Sequence, residues 1–342
     1  MSKSFFDDIA KQTGNKFIGQ FSDVENYIDT GSYVLNALLS GSIYKGLPGN
    51  KITAFAGASS TGKTFFVLSV VKKFLDDNSD AGVMFFESES AITKEMLVER
   101  DIDPNRLIII PVATVQDFKF QALKVVNAYL ENKNRPPMLV CLDSLGMLST
   151  TKELADSEDG KETKDMTRPG TIRAAFRVLT LKLGAAKVPM LVTNHTYENI
   201  GGYGDPTQIS GGGGLKYAAD VILTLSRRKE KDGTTIVGNV IHCKAFKSRL
   251  TKENSKVDVL LRYDTGLHKY YGLTDLAVAA GIWENNAGRI IVEDGSKQFG
   301  KTIYGNPEKF FTKDVLDRID KYTKTEFMYG STIKNDRTES PS

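Results

Sequence analysis

Ile52-Thr-Ala-Phe-Ala-Gly57-Ala-Ser-Ser-Thr-Gly62-Lys63-Thr64-Phe65-Phe-Val-Leu-Ser-Val-Val-Lys-Lys-Phe-Leu75 is the stretch from which the fold can be read. Ile52 to Phe55 reads as a short buried strand, and Phe65 to Leu75 repeats apolar residues at helical spacing. Between them Gly57 to Thr64 matches G-x-x-x-x-G-K-[ST], in the strand-before, helix-after setting that gives the motif its meaning. The glycines let the loop wrap closely, so that backbone N–H groups and the helix N-terminus face a phosphate chain. Lys63 then reaches the outer phosphate oxygens, and the Thr64 hydroxyl is placed for Mg²⁺. The candidate nucleotide-binding residues are therefore Gly57, Ser59, Ser60, Thr61, Gly62, Lys63, Thr64 and Phe65, with ATP and Mg²⁺ as the expected cofactors.

Outward from this loop the alternation of strand, turn and helix continues: Val83 to Phe86, a helix around Met96, Met138 to Leu142, and Met190 to Val192. Such alternation predicts an α/β core with a mostly parallel central sheet. Beyond Val221 the runs Val221 to Leu225, Thr235 to Val240 and Val257 to Tyr263 lose their intervening helices, which predicts antiparallel strands extending that sheet. Residues 31–271 are read as this core and 272–330 as a separate small α/β piece. Residues 1–30 hold a short helix with Phe5, Phe6 and Ile9, then Phe17, Ile18 and Phe21 without a core of their own. They are read as an oligomerisation arm that packs on a neighbouring copy. Residues 331–342 are polar and aperiodic and are expected to be a disordered tail.

Composition narrows the setting. Among 342 residues, 45 basic side chains nearly balance 42 acidic ones, so a polyanion partner has to be met by local clusters rather than by net charge. Cys141 and Cys243 are the only cysteines, and each lies in an apolar run, which excludes a disulfide framework or a CxxC metal site and suits the cytoplasm. No signal-peptide pattern is present, and no run reaches the roughly 18 apolar residues of a membrane span, so no membrane partner is expected.

Two further acidic positions bear on phosphate chemistry. Met138-Leu-Val-Cys-Leu-Asp143 is an apolar strand ending in a carboxylate, placed to complete a Mg²⁺ site with Thr64. Phe85-Phe-Glu87-Ser-Glu89 ends another strand with two acids, either of which can orient a water molecule, and alternation puts both on one face. Downstream, seven glycines fall between Gly201 and Gly214, among Tyr197, Tyr203 and Gln208, a segment suited to ordering around a ligand. Before it, the polar loop Ala155 to Gly170 carries Lys161, Lys164 and Arg168, and Arg173 and Arg177 follow on one helix face opposite Ile172, Phe176 and Leu179. These cations suit a phosphate backbone, although Asp156, Glu158 and Asp159 share the loop.

With these residues assembled, the chain resembles the RecA family, and within it the UvsX-type recombinases of tailed phages, over roughly residues 25–270. The likeness rests on Asp29-Thr-Gly-Ser-Tyr-Val-Leu-Asn-Ala-Leu-Leu-Ser-Gly41, Glu87-Ser-Glu89-Ser-Ala-Ile92, Asp143-Ser144, Asn194-His195-Thr196, and Gly211-Gly-Gly-Gly-Leu-Lys-Tyr217-Ala-Ala-Asp220. The resemblance implies that Glu89 activates the attacking water and that His195 senses the γ-phosphate. It also implies that Lys247 and Arg249, with Lys244 as the alternative, reach a neighbouring copy's site in trans. DNA contact is implied for both loops, through Lys161, Lys164, Arg168, Arg173, Arg177, Tyr197, Gly201, Gly202, Tyr203, Gly211, Gly212 and Gly213.

Where bacterial RecA stacks an aromatic residue on adenine this chain has Met96, and the acidic C-terminal tail of RecA is missing. The function implied is ATP-dependent filament formation on single-stranded DNA, with homologous pairing to duplex DNA and strand exchange. A mediator and a single-strand-binding protein are further partners of that reading. The alternatives are a ring-forming translocase or helicase, a KaiC-like ATPase, or a nucleotide-gated single-strand-binding protein.

Overall fold

The computed structural model describes residues 5–14, 26–161, 165–198, 207–210 and 213–330. The phosphate-loop stretch folds as read: strand β1 (Ile52–Gly57) runs into helix α2 (Lys63–Asp77), and helix α1 (Tyr33–Ser40) precedes them. The parallel sheet adds β2 (Gly82–Glu87), β3 (Leu107–Pro111), β4 (Met138–Asp143) and β5 (Met190–Glu198), with helices α3 (Val115–Glu131) and α4 (Arg168–Ala186) between them. After the short strand β6 (Thr207–Ile209) and helix α5 (Gly213–Ala218) come β7 (Val221–Asp232), β8 (Thr235–Ser248), β9 (Lys256–Arg262) and β10 (Gly266–Leu267).

The strand order is β10-β9-β8-β7-β1-β5-β4-β2-β3, with β6 on β5. From β7 to β3 neighbouring strands are parallel, whereas β7, β8, β9 and β10 pair antiparallel, as the loss of helices after Val221 predicts.

Alternation along the strands divides the interior in two. Phe55, Val83, Phe85, Leu139 and Cys141 face the side covered by α1 and α2. Ile52, Ala54, Ala56, Phe86, Val140 and Leu142 face α3 and α4. Phe55 meets Phe66 of α2 edge-to-face at 4.9 Å, and Phe86 meets Phe118 of α3 at 5.2 Å. These contacts press a helix on each face and hold the strand ends between them.

Several local expectations need correction. β3 and α3 were not part of the predicted alternation: Ile108-Ile-Ile110 is a short run at the sheet edge, with Ile108 exposed, so it has no buried-strand signature. Ala155 to Glu158 is not loop but the end of a helix, Thr151–Glu158. The helix is opened by a capping box in which Thr150 and Glu153 exchange hydrogen bonds with each other's backbone. α4 starts at Arg168, inside the predicted loop, because Pro169 fits the first turn of a helix.

The boundaries at both ends are also less sharp than the sequence reading. Tyr27–Ile28 pairs with Leu47–Pro48, and Thr30 is buried against Asn36, so this end of the arm is part of the core. Residues 272–330 have a three-stranded sheet of their own, yet Trp283, Phe311, Val315 and Ile319 join the same apolar cluster as α1 and α2. In helix α6 (Lys313–Phe327), buried Asp320 accepts from Ser42 Oγ at 2.5 Å and Ile43 N at 2.9 Å, which ties that piece to the core. Phe17, Ile18, Phe21 and the tail at 331–342 lie outside the described residues. Among the described residues no helix is long and apolar enough to cross a membrane.

Candidate active site

Sheet register places the chemistry. Gly57 is level with His195 across β1 and β5, and Glu87 with Asp143 across β2 and β4, so all four stand at the C-terminal edge of the parallel strands. The phosphate loop leaves β1 here. Gly62 has φ +86, a conformation side chains resist, and a Cβ on Gly57 would lie 2.8 Å from Leu225 O and 2.9 Å from Thr61 Oγ1. The first-turn amides of α2 have no carbonyl partner within the helix and face outward from this edge.

The side chains present fit a nucleotide with its cation. Thr64 Oγ1 donates to Asp143 Oδ2 at 2.5 Å, so the two groups that would share Mg²⁺ already touch. Burial raises the Asp143 carboxyl above the ordinary carboxylate range, against hydrogen bonds from Thr193 and Thr64 that favour the anion, and a divalent cation would supply the missing compensation. Lys63 Nζ donates to the carbonyls of Gly57 at 3.1 Å and Ala58 at 3.0 Å. Its pKa is lowered by burial, which the Asp143 and Glu89 carboxylates oppose. Thr64, Asp143, Lys63 and the loop amides would hold the triphosphate and Mg²⁺; the cation's chemistry when bound is to neutralise charge on the phosphoryl oxygens.

The two acids that the sequence leaves open differ in their surroundings. Glu87 is buried and its carboxylate accepts from three backbone amides, Glu89 at 3.0 Å, Ser90 at 2.6 Å and Ala91 at 3.0 Å. It closes the turn after β2, in which Ser90 holds φ +53, and has little capacity left for water. Glu89 projects from that turn with its side chain 32% exposed. Its Oε1 accepts from Ser144 Oγ at 2.8 Å and lies 3.2 Å from His195 Nε2. The carboxylate is thus oriented from two sides and open on a third.

His195 stands where β5 leaves the core. Buried Asn194 accepts from His195 N at 2.9 Å and donates to Ser210 O at 2.8 Å, while Ser210 N donates to His195 O at 2.8 Å. The far end of the glycine-rich stretch is thereby tied to this histidine. The ring packs on Gly146, in the turn Leu145–Met147 after β4: a Cβ there would lie 2.8 Å from His195 Cδ2 and 3.0 Å from Asn194 Oδ1. The sequence offers no signal for Gly146, because its partner is 49 residues away.

Lys247 and Arg249 are elsewhere. Ser248 pairs with Val221, and Val221 with Thr53 near the start of β1, so these cations lie at the opposite edge of the sheet from the phosphate loop. The rise along β1 separates the edges by roughly 17 Å. Lys247 Nζ donates to the carbonyls of Lys216 and of Ala219 (2.7 Å), and Arg249 to Asp220 Oδ1 at 3.2 Å and Tyr217 O at 3.3 Å. Both rest on the carbonyl end of α5, which favours cations. Neither is positioned to serve the site of its own chain.

The described basic residues of the two loops are partly gathered. Arg173 and Arg177 are exposed on α4, and the Arg173 guanidinium stands 5.6 Å from the ring of Tyr217 on α5. Lys161 is exposed and paired with Asp159, and Tyr197 is exposed with its hydroxyl 3.4 Å from Gln208 Oε1. Gly213 opens α5. Arg168, by contrast, turns inward: Nε and Nη2 donate to Leu148 O at 3.0 and 2.9 Å, and Nη2 to Gly146 O at 2.9 Å. Lys164, Gly201, Gly202, Tyr203, Gly211 and Gly212 lie outside the described residues. Met166, 82% exposed beside this loop, was not singled out by the sequence, since a lone methionine carries no periodic signal.

Comparison with known proteins identifies the family. Residues 3–268 match the RecA N-terminal domain. The recombination and repair protein of Enterobacteria phage T4 is 30% identical over 273 residues, covering 80% of this chain and 68% of that protein. Protein RecA of Streptomyces rimosus is 26% identical over 82% of this chain and 71% of its own length. Protein RecA of Nocardioides sp. is 25% identical over 98% of this chain and 93% of its own. A family match over most of the chain, joined to a phosphate loop with Thr64, Asp143 and Glu89 on one sheet edge, makes this chain a member of the RecA family.

Proposed function

We propose that the chain is an ATP-dependent recombinase that assembles as a helical filament on single-stranded DNA, pairs it with homologous duplex and exchanges strands, hydrolysing ATP to ADP and phosphate. One observation carries the reading. Thr64, Asp143, Glu89 and His195 converge on one sheet edge, while Lys247 and Arg249 stand on the other, so a site using all of them needs two copies joined head to tail. Head-to-tail contacts close into rings or continue as helices. The tie from Ser210 to His195 supports a link between the glycine-rich DNA segment and the nucleotide.

In this reading the open oxygen of Glu89 takes the proton of the attacking water, Lys63 and Thr64 hold the triphosphate with Asp143, and His195 reports the γ-phosphate. Lys161, Lys164, Arg173, Arg177, Tyr197 and the glycines track the DNA backbone. A single-strand-binding protein and a mediator share that DNA, in the cytoplasm, which is a host's if the chain is phage-encoded. The test is ATP hydrolysis with and without single-stranded DNA, paired with negative-stain imaging. Strong stimulation with helical filaments supports the recombinase. Closed rings, or turnover indifferent to DNA, overturn it in favour of a translocase or KaiC-like ATPase.

Self-association has a second support in β3, the last strand of the sheet among the described residues, with Ile108 and Phe120 more than half exposed nearby. The N-terminal arm is proposed as the partner of such a surface on a neighbouring copy. Ile108→Lys is expected to raise the protein concentration needed for filament assembly by at least about tenfold, read by imaging and light scattering, with ATP binding unchanged.

Gly146 gives a sharper test of His195. Gly146→Ala is expected to push the imidazole off Glu89 and lower steady-state turnover by about tenfold. Adding His195→Gln, a more flexible side chain, is expected to recover part of that loss. No recovery in the double variant would remove the steric explanation.

A further inference from the structure

The turn that supports His195 is fastened to the base of the first loop by a set of polar contacts that lie outside the catalytic site. Arg168, the first residue of α4, spans the turn with its guanidinium, donating to Gly146 O and Leu148 O. Three residues earlier, Asp165 is buried, 4% exposed. Its carboxylate accepts from Thr150 Oγ1 at 2.6 Å on one oxygen and from Thr167 N at 2.8 Å and Thr167 Oγ1 at 2.7 Å on the other. Thr150 in turn caps the helix that follows the turn, and Glu153 Oε2 of that helix lies 3.9 Å from Arg168 Nε.

This is more than a helix cap. A cap satisfies the amides at one helix start, whereas here Asp165 and Arg168 bind the strand-β4 exit at three places, Gly146, Leu148 and Thr150. The same stretch carries the glycine against which the His195 ring rests, and His195 lies against Glu89. Arg168, Gly146, the imidazole and the Glu89 carboxylate thus form one unbroken chain of contacts. The hydroxyls of Thr150 and Thr167 push the Asp165 carboxyl down to about 2, so the anion is complete above the ordinary carboxylate range and lost only as pH falls toward that value. The latch is thus charged throughout the neutral range.

We infer that Asp165 and Arg168 are positioning residues for ATP hydrolysis, which lock the His195 turn to the first DNA loop so that DNA engaged there sets the Glu89–His195 geometry. The inference rests on the DNA-stimulated ATPase reading and adds to it a second route of coupling, separate from the Ser210 tie. It also gives Arg168 a role inside the protein rather than on a phosphate of the DNA.

The test uses the full chain with Asp165→Ala, Asp165→Asn and Arg168→Lys. DNA-free turnover, single-stranded DNA affinity with a non-hydrolysable ATP analogue, and kcat at saturating DNA are measured for each. Asp165→Ala is expected to keep DNA-free turnover, to bind DNA within about threefold of the parent, and to lose about tenfold in DNA-stimulated kcat at saturating DNA. Asp165→Asn, which keeps an oxygen for Thr167 and can donate to Thr150, is expected to recover most of it. Arg168→Lys keeps a charge for a phosphate but replaces the planar fork that fixes Gly146 O and Leu148 O by a shorter reach ending in a flexible ammonium, so it is expected to follow Asp165→Ala in lost stimulation and decides the matter if the alanine variant unfolds. Full stimulation in the variants overturns the inference. So does a defect that saturating DNA repairs, or a loss of DNA-free turnover equal to the loss of stimulated turnover. A parent protein whose turnover ignores DNA overturns the function reading itself, a result distinguishable from the others.

Discussion

Glu89→Gln is expected to cut ATP turnover by at least about a hundredfold while leaving ATP and single-stranded DNA binding within about threefold of the parent. The amide keeps the size of the side chain and one oxygen for Ser144, but it cannot take a proton from water. Because the lost function is confined to the chemical step, the variant is expected to form stable filaments that persist where the parent's decay. Glu87→Gln makes the contrast. Its carboxylate serves three backbone amides, and an amide in its place turns a donor toward donors, so about 1–3 kcal/mol of stability is expected to go. Its loss should register in the denaturation midpoint before it registers in kcat per folded molecule. Denaturant titration and single-turnover hydrolysis of both variants check the pair. A turnover loss larger for Glu87→Gln than for Glu89→Gln would exchange the two assignments.

The second large effect comes from mixing. Arg249→Ala and Glu89→Gln are each expected to be nearly inactive, by a factor of about a thousand where the cation acts as a trans finger. A randomly mixed filament of equal parts nevertheless joins, at about one site in four, the intact Glu89 of one protomer to the intact Arg249 of its neighbour. Turnover of the mixture is therefore expected to return to about a quarter of the parent's, although neither component works alone. The expectation depends on topology: the hairpin of β7 and β8 carries Arg249 to the edge of the sheet opposite Gly57, out of reach of its own site. Arg249 also pairs with buried Asp220, so Arg249→Lys serves as the control for folding. A mixture that stays inactive while imaging finds co-assembled filaments would mean that the cation does not act in trans.

The phosphate loop, Asp143 and the parallel core were legible in the sequence because their information is local. A strand, a glycine turn and a helix lie within 24 consecutive residues from Ile52 to Leu75, and both periodicity and turn chemistry are properties of neighbours. The antiparallel extension after Val221 was legible for the same reason, since a missing helix is visible in the pattern. β3 escaped because an edge strand can expose Ile108 and so lacks the buried pattern. The helix Thr151–Glu158 carried its capping box in plain letters at Thr150 and Glu153, yet its polar composition read as loop.

Choices between chemically equivalent residues could not be made from local pattern. Glu87 and Glu89 are both carboxylates on one strand end; the structure separates them because three amides of the following turn converge on Glu87 and none on Glu89. Arg168 reads as another cation of a basic loop, and only the return of the chain beside β4 turns it toward Gly146 and Leu148. Gly146 has no motif at all, its need arising from an imidazole on the next strand, across one crossover and 49 residues on in the chain. The amino-acid order by itself determined the fold class, the phosphate-loop motif and the strand end that carries Asp143, since backbone propensity and side-chain period act between neighbours. Which acid is taken up by backbone amides, which arginine turns inward, and which cations stand on the far sheet edge were decided by tertiary structure, because they depend on distances that exist only once the sheet has been assembled.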